Sequence, residues 1–334
     1  MKLYRLAALL LALACLGCGA LADSSRSFLA MDTVISISAD GADSLLLDAC
    51  KTEVFRLDNL MSVTKSDSDV SRLNTYGTAE LSADTASVLR TALNAAQLTD
   101  GALDVTLYPV VRAWGFTTGS YRVPKEAEIY ALLKRVGWKK IQLEGDTCTI
   151  PEGTMIDLGA VAKGYASDRL AAILRNGGVK SALIDLGGNV YCVGAKDDGS
   201  DWRVGIRDPE DRTALSAVVS VKDLAVVTSG AYERFFTGPD GKTYGHIFDP
   251  ATGRPSESDL ISATVIGTWG VQCDALSTAL YVMGREKAQA FLPTLAGIEA
   301  VLIDEYGDFW VTRGLKEAFA PAGEYQGAKV NWIE

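Results

Sequence analysis

Ser181-Ala182-Leu183-Ile184-Asp185-Leu186-Gly187-Gly188-Asn189-Val190-Tyr191-Cys192-Val193-Gly194-Ala195 reads as two apolar strands, Ser181–Leu186 and Val190–Ala195, joined by a glycine bend where backbone can approach a ligand. Upstream, Met155-Ile156-Asp157-Leu158-Gly159 leads into a helix whose Ala162, Ala166, Leu170 and Ile173 share one face and which stops at Asn176-Gly177-Gly178. Downstream, strands dominate: Trp202–Arg207, Leu215–Val221, Leu224–Thr228, Tyr244–Phe248 and Ser262–Gly267. A helix over Val271–Met283 ended by Gly284, another near Glu286–Leu292, and a strand pair, Ala300–Ile303 and Phe309–Thr312, follow. Strands and helices mix without strict alternation. That pattern predicts an α+β fold with largely antiparallel sheets rather than a doubly wound one.

The amino-terminal half adds a strand over Phe28 to Ala39, a helix carrying Leu47, Cys50, Val54, Leu57 and Met61, and, after the polar run Ser62–Asp69, a helix with Ala86, Leu89, Leu93 and Ala96 on one face. Asp100-Gly101 is turn chemistry, and Pro109 limits any helix beyond it. A short helix over Ile129–Val136 and a strand pair around Lys140–Ile150, turning at Glu144-Gly145-Asp146, precede the central segment.

Met1-Lys2-Leu3-Tyr4-Arg5 followed by an apolar run from Leu6 to Leu16 has the charge and length of a secretory signal, and the run is shorter than the roughly 18 residues of a spanning helix. Two endings compete. Leu16-Gly17-Cys18 is similar to a lipobox, with Cys15 in place of the usual branched aliphatic, whereas Ala20-Leu21-Ala22 is an A-x-A site. Residues 1–22 are therefore expected to be removed, or lipidated at Cys18 to give the chain's one membrane anchor, leaving 23–334 as an exported catalytic domain on the outer face of the cell membrane or in the periplasm. Without Lys2 and Arg5 the chain holds 30 basic against 42 acidic residues, a net charge of −12. No basic cluster longer than Lys139-Lys140 occurs, which argues against a nucleic-acid partner. An acidic protein that binds a diphosphate needs a divalent cation between them. Cys50, Cys148, Cys192 and Cys273 are scattered without a CxxC pair and read as buried small hydrophobes.

His246 is the chain's only histidine, within Gly245-His246-Ile247-Phe248-Asp249-Pro250-Ala251-Thr252-Gly253. Multi-histidine zinc sites are thereby excluded, and any metal must rest on oxygen or sulfur ligands, which favours magnesium or calcium. The imidazole is either an acid/base group near neutrality or a hydrogen-bonded loop filler. On the helix Gln272–Ala279, Asp274, Ser277 and Thr278 stand at i, i+3 and i+4, so three oxygen ligands share one face while Leu276 and Leu280 project from the other. The same residues also suit back-bonding hydroxyls and a helix-start acid. Asp157-Leu158-Gly159-Ala160-Val161-Ala162-Lys163-Gly164-Tyr165 places an acid, a glycine and a lysine at a strand-to-helix junction, where free amides bind anions. With the glycine bends at Asp185–Asn189 and Thr228–Tyr232, it suggests one phosphate-rich site at strand ends.

In these residues the chain resembles the ApbE-type flavin transferases, the FAD:protein FMN transferases, from about Phe28 to Thr312. The ordered motifs are Met31-Asp32-Thr33, Asp100 to Asp104, Trp114 to Phe116, Asp157 to Tyr165, Gly187 to Asn189, Thr228 to Gly230, His246 to Gly253, and Asp274 to Thr278. The resemblance implies an α+β protein of two intimate lobes with an FAD and magnesium cleft between them. It implies an exported enzyme, often a lipoprotein, that splits FAD with Mg2+, releases AMP and attaches FMN through a phosphoester to a threonine or serine of a partner protein. Acceptors of the Nqr or Rnf type, or extracellular electron-transfer flavoproteins, are the implied partners. Residue by residue, it assigns Asp274, Ser277, Thr278 and the Ala160 carbonyl to the metal, and Met31, Thr64, Ala102, Leu103, Asp104, Asp157, Lys163 and Phe248 to FAD. Thr64 departs from the family pattern, which commonly has an aromatic there. His246 is then expected as general base, oriented by Asp249, with Lys163 neutralising phosphate charge. FAD hydrolysis to FMN and AMP, and non-catalytic FAD binding, are the alternatives.

Overall fold

A computed structural model describes residues 24–334. The signal segment, residues 1–22 with Cys15, Cys18 and Ala22, lies outside the described residues. Seven helices are formed: α1 (Ser44–Met61), α2 (Asp69–Tyr76), α3 (Ala83–Leu98), α4 (Tyr108–Trp114), α5 (Glu126–Leu133), α6 (Ala162–Asn176) and α7 (Gly270–Phe291). The first ten strands are β1 (Ser25–Ala30), β2 (Thr33–Ala39), β3 (Thr78–Glu80), β4 (Gln142–Glu144), β5 (Thr147–Thr149), β6 (Ala182–Leu186), β7 (Asn189–Val193), β8 (Trp202–Arg207), β9 (Leu215–Val221) and β10 (Ala225–Ser229). The rest are β11 (Phe235–Thr237), β12 (Thr243–Gly245), β13 (Phe248–Asp249), β14 (Arg254–Pro255), β15 (Leu260–Gly267), β16 (Ile298–Asp304), β17 (Phe309–Thr312), β18 (Phe319–Pro321) and β19 (Val330–Ile333).

A nine-stranded sheet in the order β1-β2-β6-β7-β10-β15-β16-β17-β19 organises the molecule, antiparallel except where β17 meets β19. Alternation gives it two apolar faces. Ile35, Ile37, Ile184 and Val265 pack with the inward residues of α1, α3, α6 and α7, and Leu47, Cys50, Val54, Leu57 and Met61 are all buried, as their spacing predicts. On the other face, Cys192, Val226, Ile266 and Val301 pack against Val204, Ile206 and Val219 of a small sheet ordered β18-β9-β8. A third cluster gathers Leu107, Val110, Trp114, Phe116, Ile129 and Phe248. The fold is thus the α+β, antiparallel-dominated one expected.

Local departures have local causes. Phe28–Ala39 is a hairpin instead of one strand, because Met31 and Asp32 adopt left-handed backbone at φ 51° and 57° and turn β1 into β2. Pro109 sits in the first turn of α4 instead of limiting it, where its missing amide has no helical partner to lose. Ser68 accepts from the Ser71 amide and starts α2 inside what reads as a polar loop. Tyr244–Phe248 splits into β12 and β13 with His246 between them. α7 is two helical segments meeting at Gly284, whose backbone at φ 75° ends the first as its sequence predicts, and Asp259 there accepts the Arg285 amide at 2.8 Å. All four described cysteines are buried and unbridged, and burial pushes the Cys50 and Cys148 thiols up to about 11.

Candidate active site

A cavity of about 620 Å³ opens where the turns at the ends of β1, β6 and β10 meet the start of α6 and the face of α7. Met31 and Asp32 of the hairpin turn, Ala102, Leu103 and Asp104 after α3, and Asp157, Ala160 and Lys163 before and in α6 all line it. His246 and Phe248 close one side, and Asp274 and Thr278 line another. Ser277 stands just behind, fully buried. One wall comes from the nine-stranded sheet and its helices, the other from the aromatic cluster and the β8–β9 hairpin.

The meeting of α6 and α7 sets the acidic end of this cavity. Gly164 and Gly270 let the helices touch: a Cβ on Gly164 would stand 2.2 Å from the Gly270 carbonyl oxygen and 2.7 Å from Asp274 Cβ. Neither helix has a side-chain cap of its own at its N-cap residue. Each borrows one. Asp274 Oδ2 on α7 accepts the Gly164 amide of α6 at 2.8 Å, and Asp168 on α6 accepts the Gly270 and Val271 amides of α7 at 2.6 and 3.0 Å. The junction expected to offer free amides to an anion therefore offers few. Val161 and Ala162 amides go to the Leu158 carbonyl and the Gly164 amide to Asp274, leaving the Lys163 side chain as the cation there.

Asp274 is 4% exposed, and burial raises its carboxyl above the usual range, opposed by the charge of Lys163 and the Gly164 amide. Such a carboxylate is one that a cation stabilises. Three hydroxyls cluster beside it on α7 and β10: Ser229 Oγ lies 2.9 Å from Ser277 Oγ and 3.3 Å from Thr278 Oγ1, and Ser277 Oγ back-bonds to the Asp274 main-chain carbonyl at 3.0 Å. Asn189 is buried beside them, its side chain turned to the Asp274 carboxyl, whose pKa it helps to hold down. One carboxylate, three hydroxyls and the Ala160 backbone form an all-oxygen set suited to a hard divalent cation, so these residues fit magnesium. Ser229 and Asn189 escaped the sequence reading as ligands, because both sat inside glycine bends read for their backbone.

His246 faces the cavity from the β12–β13 link. Its Nδ1 lies 3.2 Å from the Arg234 carbonyl oxygen, an acceptor only, so Nδ1 carries the proton and the Nε2 lone pair is left for chemistry. Burial, then the charges of Arg234 and Lys163, pull its pKa down to about 4, so the ring is neutral at pH 7. Burial likewise raises the Asp157 carboxyl, whose Oδ1 accepts the Gly159 amide at 2.9 Å. Arg234 lines the cavity and donates to the Phe116 carbonyl at 3.1 Å. Nothing in its segment marked it beforehand.

Two expected residues, Asp249 and Thr64, take other places. Asp249 does not orient His246: its Oδ1 accepts the Ala251 amide at 2.8 Å and its carbonyl the Gly253 amide, building the turn whose Gly253 carbonyl accepts from Trp114 Nε1 at 3.1 Å. Thr64 is exposed after α1, its Oγ1 3.0 Å from Ser62 Oγ, and is outside the cavity lining. Asp104 lines the cavity, yet its carboxylate is spent on the Thr106 amide and hydroxyl and the Trp138 amide, at 2.6–2.9 Å, so its part is to fix the wall. Phe248 is held by Trp114 and Phe116, with ring centroids 5.8 and 5.7 Å away.

The comparisons with known proteins agree with this geometry. Residues 31–302 match the family model described as the ApbE family. The FAD:protein FMN transferase of Vibrio cholerae is 36% identical over 261 residues, covering 75% of this chain and 77% of the relative. That of Treponema pallidum is 36% identical over 279 residues, covering 76% and 77%. Among solved structures, the ApbE protein of Thermotoga maritima superposes with a TM-score of 0.82 at 31% identity, covering 88% of this chain and 98% of that one. The flavin transferase ApbE of Vibrio cholerae gives 0.79 at 31% identity over the same shares. A match over this much of the sequence and fold, with the cavity lined by its motifs, makes the chain a member of the ApbE family.

Proposed function

We propose that the protein is an exported, Mg2+-dependent FAD:protein FMN transferase that cleaves the pyrophosphate of FAD, releases AMP and leaves FMN in a phosphoester on a threonine or serine of a partner protein. The observation that carries this is the presence in one cavity of a neutral His246 with its Nε2 unengaged and a buried Asp274 carboxylate with three hydroxyls clustered beside it. Asp274, Ser277 and Thr278, with the Ala160 carbonyl and Ser229 alongside, would hold the ion. A divalent cation held there would supply positive charge for the pyrophosphate and for the oxygen that leaves with AMP. Lys163 adds a second positive charge for the phosphates, and Met31, Leu103 and Phe248 supply apolar wall for the flavin nucleotide. His246 Nε2 takes the acceptor hydroxyl's proton while its oxygen attacks the FMN phosphorus. The P–O bond to AMP breaks, and AMP leaves with the electron pair.

Acceptors of the Nqr or Rnf type, or extracellular electron-transfer flavoproteins, follow from an exported enzyme. The amino-terminal segment would place it outside the cytoplasmic membrane, either lipidated at Cys18 or cleaved after Ala22, and mass spectrometry of the mature amino terminus separates these. The function is tested by incubating protein, FAD and MgCl2 with an unflavinylated Nqr-type subunit. AMP release with an FMN mass gain on the acceptor is expected. AMP and free FMN without that gain make the protein a pyrophosphatase, and intact FAD makes it a binding protein only.

A further inference from the structure

The face of the large sheet that carries the small sheet is only partly covered, and the bare part adjoins the cavity. Register places Leu29, Val34, Ser36, Asp185, Val190 and Val226 on this one face: Leu29 pairs with Val34, Ser36 with Asp185, Asp185 with Val190, and Val190 with Val226. From Val190 onward the face is packed beneath the small sheet, whose far strand β18 lies over β17, the Phe319 and Phe309 rings being 5.2 Å apart. Its near strand β8 pairs with β9 alone among the described residues. The open edge of β8 therefore looks across β6 toward β2 and β1. There Leu29 is 72% and Val34 57% exposed, an apolar cross-strand pair on a sheet face with nothing described above it.

We infer that this trough receives the acceptor protein's hydroxyl-bearing segment in extended form, lying on Leu29 and Val34 and pairing with the open edge of β8. The inference rests on the transferase reading above, which requires a macromolecular hydroxyl to reach His246. Three observations favour this occupant. The trough is continuous with the reaction cavity, since Asp185 and Val190 at the inner side of its floor and Val204 and Gly205 of its β8 wall also line the cavity that holds His246 and Asp274. Two bare strands at about 4.8 Å spacing leave a width of roughly 10 Å, room for one extended chain. An unpaired strand edge offers hydrogen bonds to any sequence, and side-chain contacts on the floor then select the partner.

The test uses the full mature protein with the Nqr-type subunit as acceptor and measures KM separately for acceptor and FAD. Leu29→Glu combined with Val34→Glu is expected to raise acceptor KM at least about tenfold and leave FAD KM and FAD affinity unchanged, the loss of a small hot spot. Val34→Thr, which keeps a β-branched residue, is expected to raise it about threefold or less. Acceptor KM within twofold of wild type in the double variant overturns the inference. So does an equal change in FAD KM, or a wild-type dimer that the double variant dissociates, because the face would then join copies of this chain. A wild-type protein that transfers no FMN removes the reading beneath it, and the inference with it.

Discussion

His246 should give the acid side of the pH profile an unusual position. An ordinary imidazole titrates near 6.5, whereas burial and the charges of Arg234 and Lys163 bring this one down to about 4. The sign is fixed by the role: a base works only unprotonated, so activity is held above its pKa and lost as pH falls through it. At pH 5.5 a base with pKa 6.5 would be about one-eleventh neutral, and kcat/KM would fall roughly tenfold from its value at pH 7.5. With a pKa of about 4 the ring stays almost wholly neutral at pH 5.5, so kcat/KM for FAD should fall by less than about twofold. Bound phosphates counter the charges of Lys163 and Arg234, so the limb in kcat, which reports the substrate complex, should lie at higher pH than that in kcat/KM. Arg234→Met, which removes one depressing charge, should also move the kcat/KM limb upward. The assay is AMP release at fixed free Mg2+ across pH 4 to 8, within the range where the protein remains folded. A tenfold fall in kcat/KM between pH 7.5 and 5.5 would refute the depressed imidazole, and full activity in His246→Ala would refute the base.

The reciprocal caps make stability and chemistry separable. Asp274→Asn keeps an oxygen for the Gly164 amide, so thermal unfolding should change by less than about 1 kcal/mol while Mg2+-dependent AMP release drops at least about a hundredfold. Asp274→Ala should add the lost cap, about 1 kcal/mol in a denaturant melt. Asp168→Ala uncaps α7 and should cost about 1–2 kcal/mol by the same measurement, with catalysis reduced less than in either Asp274 variant. Gly164→Ala sets a methyl 2.2 Å from the Gly270 carbonyl oxygen, so α6 and α7 must part, and a loss of roughly 2 kcal/mol or more is expected in the same denaturant melt.

Much of this is legible in the sequence where a residue's role is set by its near neighbours. The buried stripe of α1 follows the spacing of Leu47, Cys50, Val54, Leu57 and Met61, and the oxygen face of α7 follows Asp274, Ser277 and Thr278. What stays hidden depends on backbone sign or distant partners. Two consecutive residues with positive φ, neither of them glycine, turn Met31-Asp32 into a hairpin, a conformation that non-glycine residues rarely reveal in sequence. Asp249 stands three residues from His246 and still serves its own turn, because an Asp two residues before a free amide closes an Asx turn more readily than it reaches across a strand. The true partner of the imidazole is the backbone of Arg234, brought there when β11 pairs with β12, and a carbonyl has no residue type to read.

Asp274 shows why two sequence readings of one residue need not compete. As a helix-start acid it is expected to cap its own helix, and as a ligand to bind a cation. It caps, but the helix is α6, and one oxygen suffices for that amide. The carboxylate also faces the cavity, with Thr278 and Lys163 among the residues lining it, which is where a cation would meet it. The amide end of α6 also offsets part of the carboxylate's charge before any cation arrives, which helps an acid that is 4% exposed to stay ionised in a protein of net negative charge. Helix contact and the placing of the Asp274 carboxylate thus share a cause, the Gly164–Gly270 approach. A substitution there should loosen both, whereas Asp274→Asn should remove only the carboxylate.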